Sequence, residues 1–264
     1  MSRVAVTGAG GRIGTRVLPK LVAHDILAID IEPLHTETFE GIETRELDIV
    51  ADTDALRQAF TDRDVVVHLA ARSSSGEPWE RILRPNIDGT YKVYEAAVEA
   101  GVGRVIFASS NHVVHMRNVT DPAEQNTMQA GAEALSIGSP MAPTGPYGIS
   151  KVTGEAIGSY CAARYDIEVL NLRIGSALTD EQLLAYQDEN DAIARYHRAM
   201  FLSIPDAVHG LDCAIDAQLP DNPLTVYLTS RNTERTLSIT PAMRALGYDP
   251  RDDSAEIVRQ SERS

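Results

Sequence analysis

The chain is 264 residues long and 43% hydrophobic, with 38 Asp and Glu against 24 Lys and Arg for a formal net charge of -14. That length supports one large α/β domain, or one domain with a small appendage, and the acidic balance argues against a nucleic-acid partner. No apolar run approaches the roughly 18 residues a membrane span needs, which argues against a membrane partner.

The N-terminal MSRVAVTGAGGRIG runs straight into a strand and a glycine turn without a signal-peptide layout, so a cytoplasmic location is expected. The pattern predicts a strand over residues 3–7, a turn over 8–14 and a helix over 12–23. Gly8 permits the tight turn, Gly11 lets the backbone approach a pyrophosphate, and Gly14 lets the helix pack close to the strand. Arg12 and Ile13 lie between the last two glycines and share the candidate cofactor site. A second strand, 25–30, ends on Asp30. An acid there accepts hydrogen bonds from the adenine ribose and repels a 2'-phosphate, so NAD is expected over NADP. A third strand, 43–48, brings Asp48 and Ile49 to bracket the adenine. A helix over 52–60 follows, and then an apolar strand over 64–70, read as buried on both faces.

Residues 77–100 carry helical periodicity, ended by Gly101 to Gly103. A fifth strand (104–108), a helix with its loop (144–165) and a sixth strand (167–172) complete a strand–helix alternation. That alternation predicts an α/β fold, a Rossmann-type doubly wound parallel sheet. Beyond Arg173 the pattern loosens. Residues 179–192 are acidic and polar, 203–217 read as an amphipathic helix, 224–228 as a strand, and 239–246 as a helix ended by Gly247. The charged tail from Arg251 reads as frayed. We therefore divide the chain into a cofactor-binding portion, 1–175, and a small substrate-binding portion, 176–264. The second packs on the first, and some of its elements can rejoin the main sheet. Cys161 and Cys213 read as buried free thiols.

The chemistry sits in FASSNH (107–112) and PYGISK (146–151). Tyr147 and Lys151, four residues apart, share one helix face. An ammonium beside the phenol stabilises the phenolate, which predicts a base working below the usual tyrosine pKa of about 10. Ser110, at the end of a strand, can hold a substrate oxygen beside that base. The three together suit removal of a proton from an alcohol while a hydride leaves the same carbon. His68, at the end of a buried strand, reads as a satisfied core histidine. No histidine or cysteine shows metal-ligand spacing, and no metal is expected.

The glycines at 8, 11 and 14, Asp30, DI at 48–49, HLAA at 68–71, NIDGT at 86–90, FASS at 107–110 and YGISK at 147–151 resemble the extended short-chain dehydrogenase/reductase superfamily of NAD-dependent epimerases and dehydratases. The resemblance implies Ser110, Tyr147 and Lys151 as catalytic residues, with Lys151 also holding the nicotinamide ribose. It places Leu69, Ala70, Ala71 and Asn86 at the cofactor. FASSNH, PYGISK and LRIGS (172–176) are similar to uronate dehydrogenases and to the haloarchaeal NAD-dependent glucose-6-phosphate dehydrogenases. That likeness puts Ser73, Asn111, His112 and Ser176 in a sugar pocket. Uronate dehydrogenases carry an arginine for the substrate carboxylate a few residues before the serine that matches Ser203. Here Arg195 and Arg198 bracket that position, and they are the candidates for the far end of the sugar, with Arg72 beside them.

Only about 90 residues follow Arg173, which suits a small sugar better than a nucleotide sugar. The expected function is oxidation of a sugar at its anomeric carbon by NAD, with glucose 6-phosphate as first choice and a hexuronate or L-arabinose next. The alternative is a sugar-nucleotide epimerase or dehydratase. Only three of the basic residues are lysines, Lys20, Lys92 and Lys151. An acidic surface in which arginine replaces lysine points to a salt-loaded cytoplasm, where salt screens the self-repulsion, although a GC-rich genome favours arginine as well. A homodimer or higher homo-oligomer, formed through the outward faces of helices 77–100 and 144–165, is the expected assembly.

Overall fold

Seven parallel strands form one sheet in a computed structural model that describes residues 1–73 and 76–263. In chain order the strands are β1 (Arg3–Thr7), β2 (Asp25–Asp30), β3 (Glu43–Glu46), β4 (Val65–His68), β5 (Arg104–Ser110) and β6 (Glu168–Ile174). Then come β7 (Ser176–Ala177), β8 (Phe201–Leu202) and β9 (Leu224–Leu228). The sheet order is β3-β2-β1-β4-β5-β6-β9, while β7 and β8 pair separately. Side chains alternate cleanly between the two faces. Val4, Val6, Val65, Val67 and Ile106 enter one core, whereas Ala5, Val66, Val105 and Phe107 enter the other. That two-sided burial is what β-branched runs without polar alternation produce. The exposed edge strand β3 reads ETRE, a charged edge that resists pairing with another sheet.

The helices are α1 (Gly14–Val17), α2 (Thr53–Phe60), α3 (Trp79–Ile82), α4 (Gly89–Glu99), α5 (Pro146–Arg164), α6 (Asp180–Ala185), α7 (Asp191–Met200), α8 (Ile204–Asp216), α9 (Thr240–Leu246) and α10 (Ser254–Ser261). Two differ from expectation, each at a proline. The helix expected over 12–23 is only α1 plus a 3-10 turn, Leu18–Lys20, because Pro19 has no N–H to continue the ladder. The helix expected over 77–100 is broken by a π-helical stretch, Leu83–Asp88, around Pro85.

The last third contributes to the main sheet, with β9 lying beside β6. The tail is not frayed. The Asp206 carboxylate accepts the backbone N–H groups of Arg251 and Asp252 at 2.9 and 3.2 Å. Ser203 donates to Asp252, Asp253 caps α10, and α10 packs on α6 and α7. Of its charges, Asp252 and Asp253 serve to tether and cap it. Both cysteines are free thiols. Cys161 is buried and Cys213 half-buried.

One ion pair ties the layers together. Glu155 of α5 takes Arg173 of β6 through two 2.8 Å bonds, and its Oε1 also accepts from Ser109 of β5. Burial alone would pull the Arg173 pKa down. Glu155, with Tyr227 beside it, outweighs that and leaves the pKa above its ordinary value. The strand order reverses between β1 and β4, and the crevice beyond their carboxyl ends is where such sheets bind ligands.

Candidate active site

The crevice opens at the glycine turn after β1. Gly8 has φ +76°, and a Cβ there would run into the backbone of Ala70, so the β1 and β4 turns cross too closely for any side chain. The N–H of Gly10 donates to Asp30 Oδ2 at 2.8 Å, which anchors the carboxylate at the end of β2. Gly10 lies outside the glycine spacing read from the sequence, and it is the residue that orients Asp30. Asp30, Asp48 and Ile49 line this half of the crevice, about 570 Å³, together with Leu69 and Ala70. Asp48 Oδ1 also caps its own turn through Val50 N–H, at 2.8 Å.

Asn86 takes a different role from the one expected. It is buried and lines neither half of the crevice. It clamps the backbone of Arg72 from both sides, at 2.8 and 3.0 Å, and donates to Ser150 at 3.1 Å. Asn86 therefore braces the segment that lines the crevice. The backbone cradle at Gly8, the anchored acid and the apolar wall at Ile49 and Leu69 fit a dinucleotide.

The second half, about 400 Å³, shares Gly8, Gly11, Leu69, Ala71 and Ser73 with the first and continues to α5. Arg12, Ile13 and Gly14 line it beside the turn. Ser110, Tyr147 and Lys151 come together there. A Cβ at Gly154 would collide with the Phe107 ring, so α5 reaches β5 only because that residue is glycine. Lys151 Nζ lies 5.6 Å from the Tyr147 ring centroid and 4.8 Å from that of Phe107. Ser110 Oγ donates to Asn111 Oδ1 at 3.3 Å and accepts from the N–H of His112 at 3.2 Å.

The electrostatics of the chain alone oppose the expected phenolate. Burial pushes Tyr147 up to about 12, partly offset by the Ser110 hydroxyl and reinforced by Tyr196. Burial also pushes Lys151 down to about 7. Desolvation penalises both charged forms, and it outweighs the stabilisation that one neighbouring ammonium was expected to give. NAD, when bound, supplies the hydride acceptor and a positive ring beside these groups.

Tyr196 of α7 is the residue missed in the sequence. Its buried phenol lines the cleft with Ser176, accepts from Asn111 Nδ2 at 3.1 Å and lies 3.3 Å from His112 Nε2. His112 meets Thr144 at 2.7 Å through Nδ1 and packs edge-on against the Tyr147 ring, 5.7 Å away. Burial, reinforced by His115, pushes it down to about 3, so it works as a neutral imidazole. Both its nitrogens are already bonded, and its part is to fix Tyr196 and Tyr147. Ser73, Ser176 and Asn126 also line the cleft.

Arg195 and Arg198 do not line the cleft. Arg195 donates to the Met128 carbonyl at 2.7 Å, and Arg198 binds Glu234 and Gln187, both at 2.8 Å. The helical period explains the misreading, because the buried positions of α7 are 194, 196, 197, 199 and 200, and the two arginines, three positions apart, share its less buried face. The signal was the position between them. His68 is the core histidine expected, bonded to Thr7 and Thr90 and pushed down to about 3 by burial and by Lys151. Among the described residues there is no cluster of three or more metal-ligating side chains, and no helix is long and apolar enough to cross a membrane.

Comparison with known proteins agrees with this geometry. An L-arabinose 1-dehydrogenase (NAD(P)(+)) from Haloferax volcanii is 47% identical over 98% of this chain and 100% of its own. An NAD-dependent glucose-6-phosphate dehydrogenase from the same organism is 35% identical over 98% of this chain and 97% of its own. Their source accords with the halophilic composition. A solved uronate dehydrogenase variant from Agrobacterium tumefaciens, complexed with NAD, superposes with a TM-score of 0.77 at 26% identity, covering 100% of this chain and 89% of that one. The model of the NAD dependent epimerase/dehydratase family matches residues 4–199. With the glycine cradle, Asp30 and the Ser110–Tyr147–Lys151 set in place, the chain belongs to the NAD dependent epimerase/dehydratase family, and NAD is its cofactor.

Proposed function

We propose that the protein is an oxidoreductase that oxidises the anomeric carbon of a small, uncharged aldose such as L-arabinose, passing hydride to NAD and releasing a lactone. The observation that carries the neutral sugar is Tyr196. A phenol stands among Asn111, His112 and Ser176, where a substrate's far hydroxyls would lie; Arg195 and Arg198 are engaged elsewhere, and Arg72 lines the adenine half of the crevice. A phosphate or carboxylate in that spot would meet hydroxyl and amide groups and no guanidinium from α7. This reading moves L-arabinose ahead of glucose 6-phosphate, and the 47% identical relative supports it.

Tyr147 removes the proton of the C1 hydroxyl as general base. Ser110 donates to the same oxygen and positions it. Lys151 stands behind the phenol, where its ammonium, together with the positive ring that bound NAD would supply, would stabilise the phenolate that accepts the proton. Asn111 and His112 keep Tyr196 in register with Ser110.

The test is NAD reduction in high salt with L-arabinose, glucose 6-phosphate, glucuronate and UDP-glucose as separate substrates. Turnover is expected with L-arabinose, and Tyr147→Phe should abolish it while NAD binding persists. Strong preference for the phosphosugar or the uronate overturns the neutral-sugar reading. Conversion of UDP-glucose without net NAD reduction overturns the dehydrogenase reading.

A further inference from the structure

The chain beyond β7 returns to the glycine turn. Arg16 of α1 donates to Gln182 of α6 at 3.0 Å, so α6 lies against the helix that the turn opens. The 3-10 turn after α6 carries Tyr186, and α7 carries His197. Both line the cleft in common with Gly11, Arg12 and Ile13. The His197 imidazole lies flat on Tyr186, with centroids 3.5 Å apart and planes 11° apart, and edge-on to Tyr196 at 4.9 Å. It is 5% exposed, and its Nδ1 is enclosed with no hydrogen-bond partner among the described residues. Buried polar atoms are almost always satisfied, so an unpartnered imidazole lining a cleft is an opening for a ligand atom. Burial, and then the charge of Arg12, push His197 down to about 4, so the ring is a neutral donor and acceptor.

The ring belongs to no sugar-side network. Tyr196, one residue earlier, is bonded to Asn111 and His112, whereas His197 makes no such bond, feels the charge of Arg12 and lines the cleft in common with the glycine turn. The ligand group that a glycine turn of this kind receives is a diphosphate. We propose that His197, held flat by Tyr186, and Arg12 close over the dinucleotide's diphosphate. They act from the side opposite the glycine backbone, with an imidazole N–H donating to a phosphate oxygen. The substrate-reading helix α7 then carries a cofactor contact, and α7 is ordered by the same diphosphate that the first turn of the chain binds. His197 and Arg12 are positioning residues for the cofactor.

The test uses calorimetric titration of the full chain with NAD, with ADP-ribose, which keeps the diphosphate and lacks nicotinamide, and with adenosine, which lacks both. His197→Ala should weaken NAD and ADP-ribose about tenfold alike and leave adenosine unchanged. Tyr186→Leu, which removes the plate and keeps the imidazole, should give a smaller loss with the same pattern. Arg12→Met carries the test if His197→Ala does not fold. Its loss should be less than additive with that of Tyr186→Leu. Unchanged affinity for NAD and ADP-ribose with a raised sugar KM overturns the proposal, because it puts His197 at the sugar. An equal loss for adenosine also overturns it, because that is general loosening. Since the readout is cofactor affinity, failure here leaves the sugar assignment standing.

Discussion

Replacing Glu155 by Ala would strand the Arg173 guanidinium inside the protein. The two side chains are 6% and 4% exposed, and Arg173 holds the carboxylate with two bonds of 2.8 Å each. Removing one member of such a pair costs about 3–5 kcal/mol, because the remaining charge keeps its desolvation penalty and loses its partner. In a chain of this size 1 kcal/mol is worth roughly 2–4 °C, so a melting temperature lower by about 10 °C is expected in scanning calorimetry. Glu155 lies one turn beyond Lys151 and also accepts from Ser109, the neighbour of Ser110. Its loss therefore slackens the seam that sets Ser110 against Tyr147, and turnover should fall by roughly 10- to 100-fold, as for small misplacements of reacting groups. The paired replacement Glu155→Met with Arg173→Met removes both charges together and should regain most of the lost stability. The reasoning is refuted if Glu155→Ala melts within about 2 °C of the parent, or if the paired variant is no more stable than the single one.

Asp30→Asn keeps an acceptor for the Gly10 N–H and removes the charge. The kcat/KM ratio of NADP to NAD should rise about tenfold or more, and an unchanged ratio denies Asp30 the discriminating role. His68 and His112 are both pushed down to about 3 by burial, against an ordinary 6.5. Below pH 6.5 the unfolded chain takes up protons that the folded chain refuses, so stability is held above 6.5 and lost as pH falls towards 3. Each buried histidine contributes a slope of about 1.4 kcal/mol per pH unit there, and urea midpoints between pH 7 and 5 should flatten in His68→Asn. Tyr196→Arg should bring turnover of glucuronate at the expense of L-arabinose, and a steady-state comparison of the two sugars reads the exchange. Tyr91, Ile149 and Tyr160 are exposed on α4 and α5. A second copy covering them predicts a light-scattering mass of twice 28.7 kDa, reduced to one chain in Ile149→Glu with Tyr160→Glu.

The cofactor half was legible because its signals are local. A glycine at positive φ, an acid ending a strand and a Tyr–Lys pair on one helix face each state their geometry within a few residues. The parallel, two-sided sheet followed from the same alternation. The sugar end was not legible in that way. Tyr196 meets Asn111 and His112 across some 85 positions of chain, and nothing beside Tyr196 in the sequence announces the contact. Arg195 and Arg198 drew the reading because guanidinium groups suit anions. Their neighbours on α7 take the buried face, and only the phase of the helix decides which. The lysine's effect on Tyr147 was misjudged for a related reason. Spacing shows that two groups are near each other but not how deeply they are buried, and here burial is the larger influence. Asn86 and Asp206 show the same limit, since each holds backbone that lies far away in the chain.

The tether of the tail to Asp206 has a practical side. The last dozen residues support α6 and α7, and through them Tyr186, Tyr196 and His197, although they touch none of the reacting groups. Trimming the C-terminus would thus degrade recognition before it harmed the hydride-transfer machinery. Random change at that end of the gene could retune which sugar is accepted while the oxidising apparatus, written almost wholly in the first 151 residues, remains intact.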